Sequence, residues 1–378
     1  MRVLARLGLV LASLTFVVAL LAGTAGAATG VFGRGPNHVV FVQTDNPAGN
    51  TVVAYDRSAD GHLTQAGVYP TGGLGGVLVG SVVDHTASQG ALAFDSRHNL
   101  LYAVNAGSNT VSVFAVVGDR LLLLQTVPSG GSFPVSVAVG DGVVYVLNAR
   151  AGGSLQGYRV FFDHLLPLPG STRQLGLNAA ATPEFVNTPG QAAFSPDGSK
   201  LIVTTKANGN QIDVFDVGFL GYLSPAPVVN AEPGTVPFAI SFDPAGNLVI
   251  AEAGTNSLAT FALNHDGTVT LLHAAATGQA ATCWVAAVGS LFYASNAGSP
   301  SVTGFRSSAG GQLTALGNTT TDAGAVDAAA TTDGRFLYVQ AGGPGNVDAF
   351  AINADGSLTA IGAVTVPGAA GGEGIIAF

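Results

Sequence analysis

The run Thr110-Val-Ser-Val-Phe114 alternates polar and apolar residues and ends in an aromatic. It returns as Thr51-Val-Val-Ala-Tyr55, Gln211-Ile-Asp-Val-Phe215, Ser257-Leu-Ala-Thr-Phe261, Ser301-Val-Thr-Gly-Phe305 and Asn346-Val-Asp-Ala-Phe350, and a weaker copy closes at Tyr158. The closing aromatics stand 59, 44, 57, 46, 44 and 45 residues apart, so the unit has about 45 residues, with insertions in the first and third copies. That period suits a four-stranded propeller blade.

The second copy reads as four strands: Ala91 to Phe94, Leu100 to Asn105, Thr110 to Ala115 and Leu121 to Val127. Turn residues part them, and Asp60-Gly61, Ser195-Pro-Asp-Gly198, Asp266-Gly267 and Asp355-Gly356 mark equivalent turns elsewhere. Asp-Gly supplies the positive φ angles of tight hairpins. Nothing after the N-terminal segment keeps helical periodicity for ten residues. The fold expected is all-β: seven four-stranded antiparallel blades forming one domain over residues 28–378. The repeat begins with a second strand, His38 to Thr44, and ends with a first strand, Gly374-Ile-Ile-Ala-Phe378. The C-terminal strand is therefore expected to complete the first blade and close the ring.

Composition excludes other classes. Only 9% of the 378 residues are charged, and 53 are Gly and 18 Pro, which rules out a coiled coil and a charge-rich disordered chain. A formal charge of −9 argues against nucleic acid as a partner. Arg2 and Arg6, the apolar stretch Leu7 to Leu21 and the small-residue site Ala25-Gly26-Ala27 have the form of an export signal, residues 1–27. A retained membrane anchor is the alternative. Cleavage before Ala28 leaves a secreted, monomeric protein with no further span. Cys283 is the only cysteine, so no internal disulfide and no cysteine-based zinc site can form, and a buried apolar role is expected for it.

The phrases Leu101-Tyr-Ala-Val-Asn-Ala-Gly107, Ser195-Pro-Asp-Gly198 and Leu291-Phe-Tyr-Ala-Ser-Asn-Ala-Gly298 resemble the lactonase family of seven-bladed propellers, which includes 6-phosphogluconolactonase-like and carboxymuconate-cyclase-like proteins with repeats close to the YVTN type. The resemblance covers residues 38–378. It implies a cluster at the ring's mouth in which an imidazole, a carboxylate and guanidinium groups transfer protons and hold an anionic lactone. In this chain Val135 stands where that resemblance places His, Gly190 and Gln191 where it places Arg and His, and Ala297 where it places Arg. Thr205-Lys206-Ala207-Asn208 falls where the carboxylate is implied. No catalytic residue is therefore assigned.

Other chemistry finds no support. Gly-x-Ser-x-Gly and His-Glu-x-x-His do not occur, and Gly72-Gly-Leu-Gly-Gly76 lacks the Lys of a phosphate loop. His38, His62, His85, His98, His164, His265 and His273 scatter over turns and strand ends, so no metal or cofactor is expected. First strands line a propeller's axis, and their entries here include Gln89, Ser136, Gln191, Phe238, Trp284, Asp327 and Glu373. These are the ligand-binding candidates: a partly apolar, polar-rimmed mouth for a small molecule, a glycan or a protein. The insertions Thr71 to Ser88 and Pro167 to Asn187 are expected as long loops on that face. A non-catalytic binding or scaffold protein is the reading favoured. The alternative is a lactone hydrolase or muconate-type cyclase rebuilt from Gln191, Lys206, Asp327 and Glu373.

Overall fold

In a computed structural model, residues 37–378 are described; the export-signal reading of residues 1–27 lies outside them. Seven antiparallel sheets form the blades of one ring. The second blade is representative, with strands Leu92–Asp95, Leu100–Asn105, Thr110–Val117 and Arg120–Pro128 in spatial order. Its second strand is buried throughout, because it is sandwiched between the neighbouring blades, while its outer strand is largely exposed. The repeated aromatics Tyr55, Phe114, Phe261, Phe305 and Phe350 are buried, and each sits opposite a bulge whose extra residue lies on the outer strand of the hairpin.

The ring closes as expected. Ile375–Ala377 pairs with Val39–Gln43, so the first blade takes its inner strand from the C-terminus. Phe378 packs edge-on against Phe41 and Phe94, and its carbonyl accepts from Arg57 Nε at 3.0 Å. The Asp-Gly turns also join blades. Tyr338 Oη donates to Gly61 O at 2.8 Å, and Tyr293 Oη donates to Gly356 O at 3.0 Å. Gly61 has φ +91° and its backbone lies against the Phe336 ring, so no other residue fits there.

The third blade departs from the four-strand plan. Its outer strand His164–Pro167 stops early because Pro167 and Pro169 cannot donate to the ladder. A two-residue strand, Arg173–Gln174, takes up the pairing with Ser154 and Leu155. Ser171 bridges the gap by accepting from Gly157 N at 3.0 Å. The insertion expected as a plain loop therefore carries this strand and a 3-10 turn, Glu184–Val186.

Candidate functional site

The first strands of the ring expose their axial edges, whose amides have no neighbouring strand to pair with. Several expected entry residues meet this need. Ser136 Oγ accepts from Ala192 N on the next blade at 3.3 Å, and Gln191 Oε1 accepts from Ile240 N, again on the next blade, at 2.6 Å. Asp327 Oδ2 accepts from Ile375 N at 3.2 Å, and Glu373 Oε1 accepts from Gly90 N at 2.9 Å. Gln89 reaches further: Nε2 donates to Val285 O at 2.9 Å, and Oε1 accepts from Val285 N at 3.0 Å. Five of the seven candidates thus spend their polar atoms on main chain of the ring.

The mouth itself is closed by the first insertion. Asp84 Oδ1 accepts from Thr86 N at 2.8 Å and Oδ2 from Ser88 N at 3.0 Å, folding the segment into a tight plug. Ser88 Oγ donates to Val135 O at 2.9 Å, and Trp284 Nε1 donates to Ser88 O at 2.6 Å. The second insertion braces the first: Glu184 Oε2 accepts from Val79 N at 2.7 Å, and Arg150 pairs with Glu184 at 2.7 Å.

Between plug and ring lies a cavity of about 290 Å³. Phe238 and Trp284, with ring centres 5.0 Å apart, form one wall with Cys283 and Ala297, and Ala87 and Phe185 face them from the insertions. These two are the sequence candidates that meet in the cavity; Gln89, Ser136, Gln191, Asp327 and Glu373 lie outside its lining. Cys283 drops out of the ladder at a bulge between Thr282 and Trp284, and burial pushes its thiol up to about 12, so it faces the cavity as a neutral group. Lys206 and Asp84 are the cation and the carboxyl among the described lining residues. Sequence reasoning named Lys206 but missed Asp84 and Phe185, whose only signal was their position in the insertions.

Lys206 is buried, and its Nζ donates to Ala87 O and Phe185 O, both at 2.6 Å, 5.2 Å from the Phe238 ring centre. Burial draws its pKa down to about 7, against the opposing pull of Asp84. Asp84 in the plug and Asp45, Asp327 and Glu373 beside it lie close enough to repel one another. Burial first, then the other three, raises Glu373 well above the usual carboxylate range. Burial raises Asp327 to about 7. A cluster like this holds protons at neutral pH.

Two of the replaced positions have structural consequences. A Cβ at Gly190 would stand 2.9 Å from Phe238 O, so backbone fills the space that an Arg side chain would need. Ala297, by contrast, lines the cavity wall.

The lactonase seven-bladed β-propeller family model matches residues 81–371. No curated protein matches the sequence significantly. Among solved structures, the periplasmic gluconolactonase of Pseudomonas aeruginosa is similar at 19% identity, with a TM-score of 0.69 over 89% of this chain and 98% of that one. A Bacteroides fragilis protein assigned as a 6-phosphogluconolactonase is similar at 19% identity, with a TM-score of 0.68 over 88% of this chain and 96% of that one. A Lactobacillus plantarum protein shares 22% identity, with a TM-score of 0.69 over 89% and 98% of the two chains. At these identities the likeness is one of fold. With a family match spanning most of its repeats, this chain belongs to the lactonase family of seven-bladed β-propellers.

Proposed function

We propose that the protein is an exported, monomeric, non-catalytic binding propeller that holds a small, largely apolar molecule beneath the plug at its channel mouth. The observation that carries this reading is the cavity itself. Its volume of about 290 Å³ is near the lower end of ligand pockets, roughly 300–1,000 Å³. Phe238, Trp284, Cys283, Ala297 and Phe185 give it apolar walls. Such walls offer a sugar phosphate few partners. The polar mouth residues support the same reading, since their hydrogen bonds hold the ring and plug together.

A second reading, a lactone hydrolase with a rebuilt site, draws on Lys206 and Asp84 sharing that cavity. Incubating the purified protein with a panel of lactones separates the two. Binding without turnover supports the first. Hydrolysis well above buffer that Lys206→Met or Asp84→Asn abolishes establishes the second.

A further inference from the structure

We infer that Lys206 is a covalent capture site for small, uncharged aldehydes or ketones, held as an imine on Nζ inside the apolar cavity. This deepens the reading of the cavity as a ligand pocket and rests on it.

The geometry carries the inference. Among the described residues, Nζ has two hydrogen-bond acceptors, Ala87 O and Phe185 O. A neutral amine has two N–H groups, which those carbonyls hold while its lone pair remains for a carbonyl carbon. Imine formation then gives up both N–H groups and releases Ala87 O and Phe185 O. Lys206 holds a left-handed backbone, φ +53°, a conformation uncommon for a lysine. Burial in an apolar site also lowers the lysine pKa to about 7, so that a large share of the amine is unprotonated at neutral pH, the condition for attack on a carbonyl.

The apolar walls decide the ligand class. A carboxylate or phosphate would have to leave water for them without a paired countercharge, whereas an uncharged carbonyl compound avoids that penalty. The volume is about twice that of a cavity of roughly 150 Å³ that accommodates benzene, so it suits a molecule of up to about twelve heavy atoms.

The step balances without an outside reagent. The Nζ lone pair attacks the carbonyl carbon, forming the C–N bond, and the oxygen takes a proton to give a carbinolamine. Loss of that oxygen as water, carrying the amine's two protons in all, leaves the C=N bond. Nothing is oxidised or reduced. Asp84, which burial biases towards its protonated form, stands on the cavity wall to pass the proton.

The test is reductive trapping. The full mature protein is incubated with hexanal and cyanoborohydride at neutral pH, and the modified residue is located by peptide mass mapping. The chain has two lysines, so Lys200, also buried and with its Nζ bound to Asp216 and His265 O, serves as an internal control with the N-terminal amine. Hexylation of Lys206 at least tenfold faster than of either control is expected, with half-maximal rate near neutral pH. The groups acting on Lys206 in that profile are Asp84 and Cys283. Hexan-1-ol, which has no carbonyl, is expected to slow the labelling by competing for the cavity. Lys206→Met should lose the label; if that variant does not fold, the pH profile and competition on the native protein still decide. Equal labelling of Lys200 and Lys206 overturns the inference. If hexan-1-ol changes Trp284 fluorescence but hexanal leaves no adduct on Lys206, the pocket stands and the imine fails. If neither compound changes Trp284 fluorescence, the pocket reading itself fails.

Discussion

Gln191 Oε1 accepts a 2.6 Å hydrogen bond from the amide of Ile240, joining the entry of the fourth blade to the inner strand of the fifth. The inner strand of a blade is an edge, and an unpaired amide on it is costly when water is excluded. Side chains at successive entries take the place of the missing strand. Polarity at a channel mouth is thus as much a structural need as a functional sign.

Gln191→Ala is expected to destabilise the protein by about 1–3 kcal/mol, because the Ile240 amide loses its acceptor. Urea unfolding measures this. A change below about 0.5 kcal/mol would show that water replaces the side chain without loss.

Removing Gly371 to Phe378 deletes the inner strand of the first blade and uncovers the edge at Val39–Gln43. It also removes Phe378 from Phe41 and Phe94, and Glu373 from Gly90. The truncated protein should be insoluble or melt far below the parent. Melting within a degree or two of the parent contradicts closure by this strand.

Stability should fall as pH rises from about 4 to about 7. Asp327 has a folded pKa near 7 and Asp213 and Asp348 near 6, each raised above 3.8 chiefly by burial. Their contribution is full below the unfolded value and is lost as pH rises through the folded one, at up to about 1.4 kcal/mol per unit for each group titrating. Lys206 acts oppositely: its depressed value makes stability rise from about 7 towards 10.5. Melting across pH should therefore show a minimum near neutrality, and Asp327→Asn should flatten its acid side. A maximum at neutral pH contradicts these assignments.

Export predicts that N-terminal sequencing of secreted protein starts at or within a few residues of Ala28. Intact Met1 in a membrane fraction contradicts it.

The ring was legible because each blade writes its own local signature, an alternating run and a closing aromatic, with Asp-Gly turns in several copies. Closure was legible because the repeat starts and stops out of phase, at His38 and at Phe378. The cavity was less so. Phe238 and Trp284 stood out as apolar entries among polar ones, yet the opposing wall comes from Asp84, Ala87 and Phe185, in insertions without periodicity. The partners of Gln191 and Glu373 are main-chain amides, which no side-chain pattern reveals.

The binding reading is tested most directly by the chain's single tryptophan, Trp284, which lines the cavity. Its fluorescence is titrated with hexan-1-ol in the native protein and in Ala297→Arg, whose side chain would fill the cavity. A saturable change in the native protein that is absent in the variant is expected. A fluorescence signal that stays flat in both, or that responds identically in both, contradicts a ligand pocket beneath the plug.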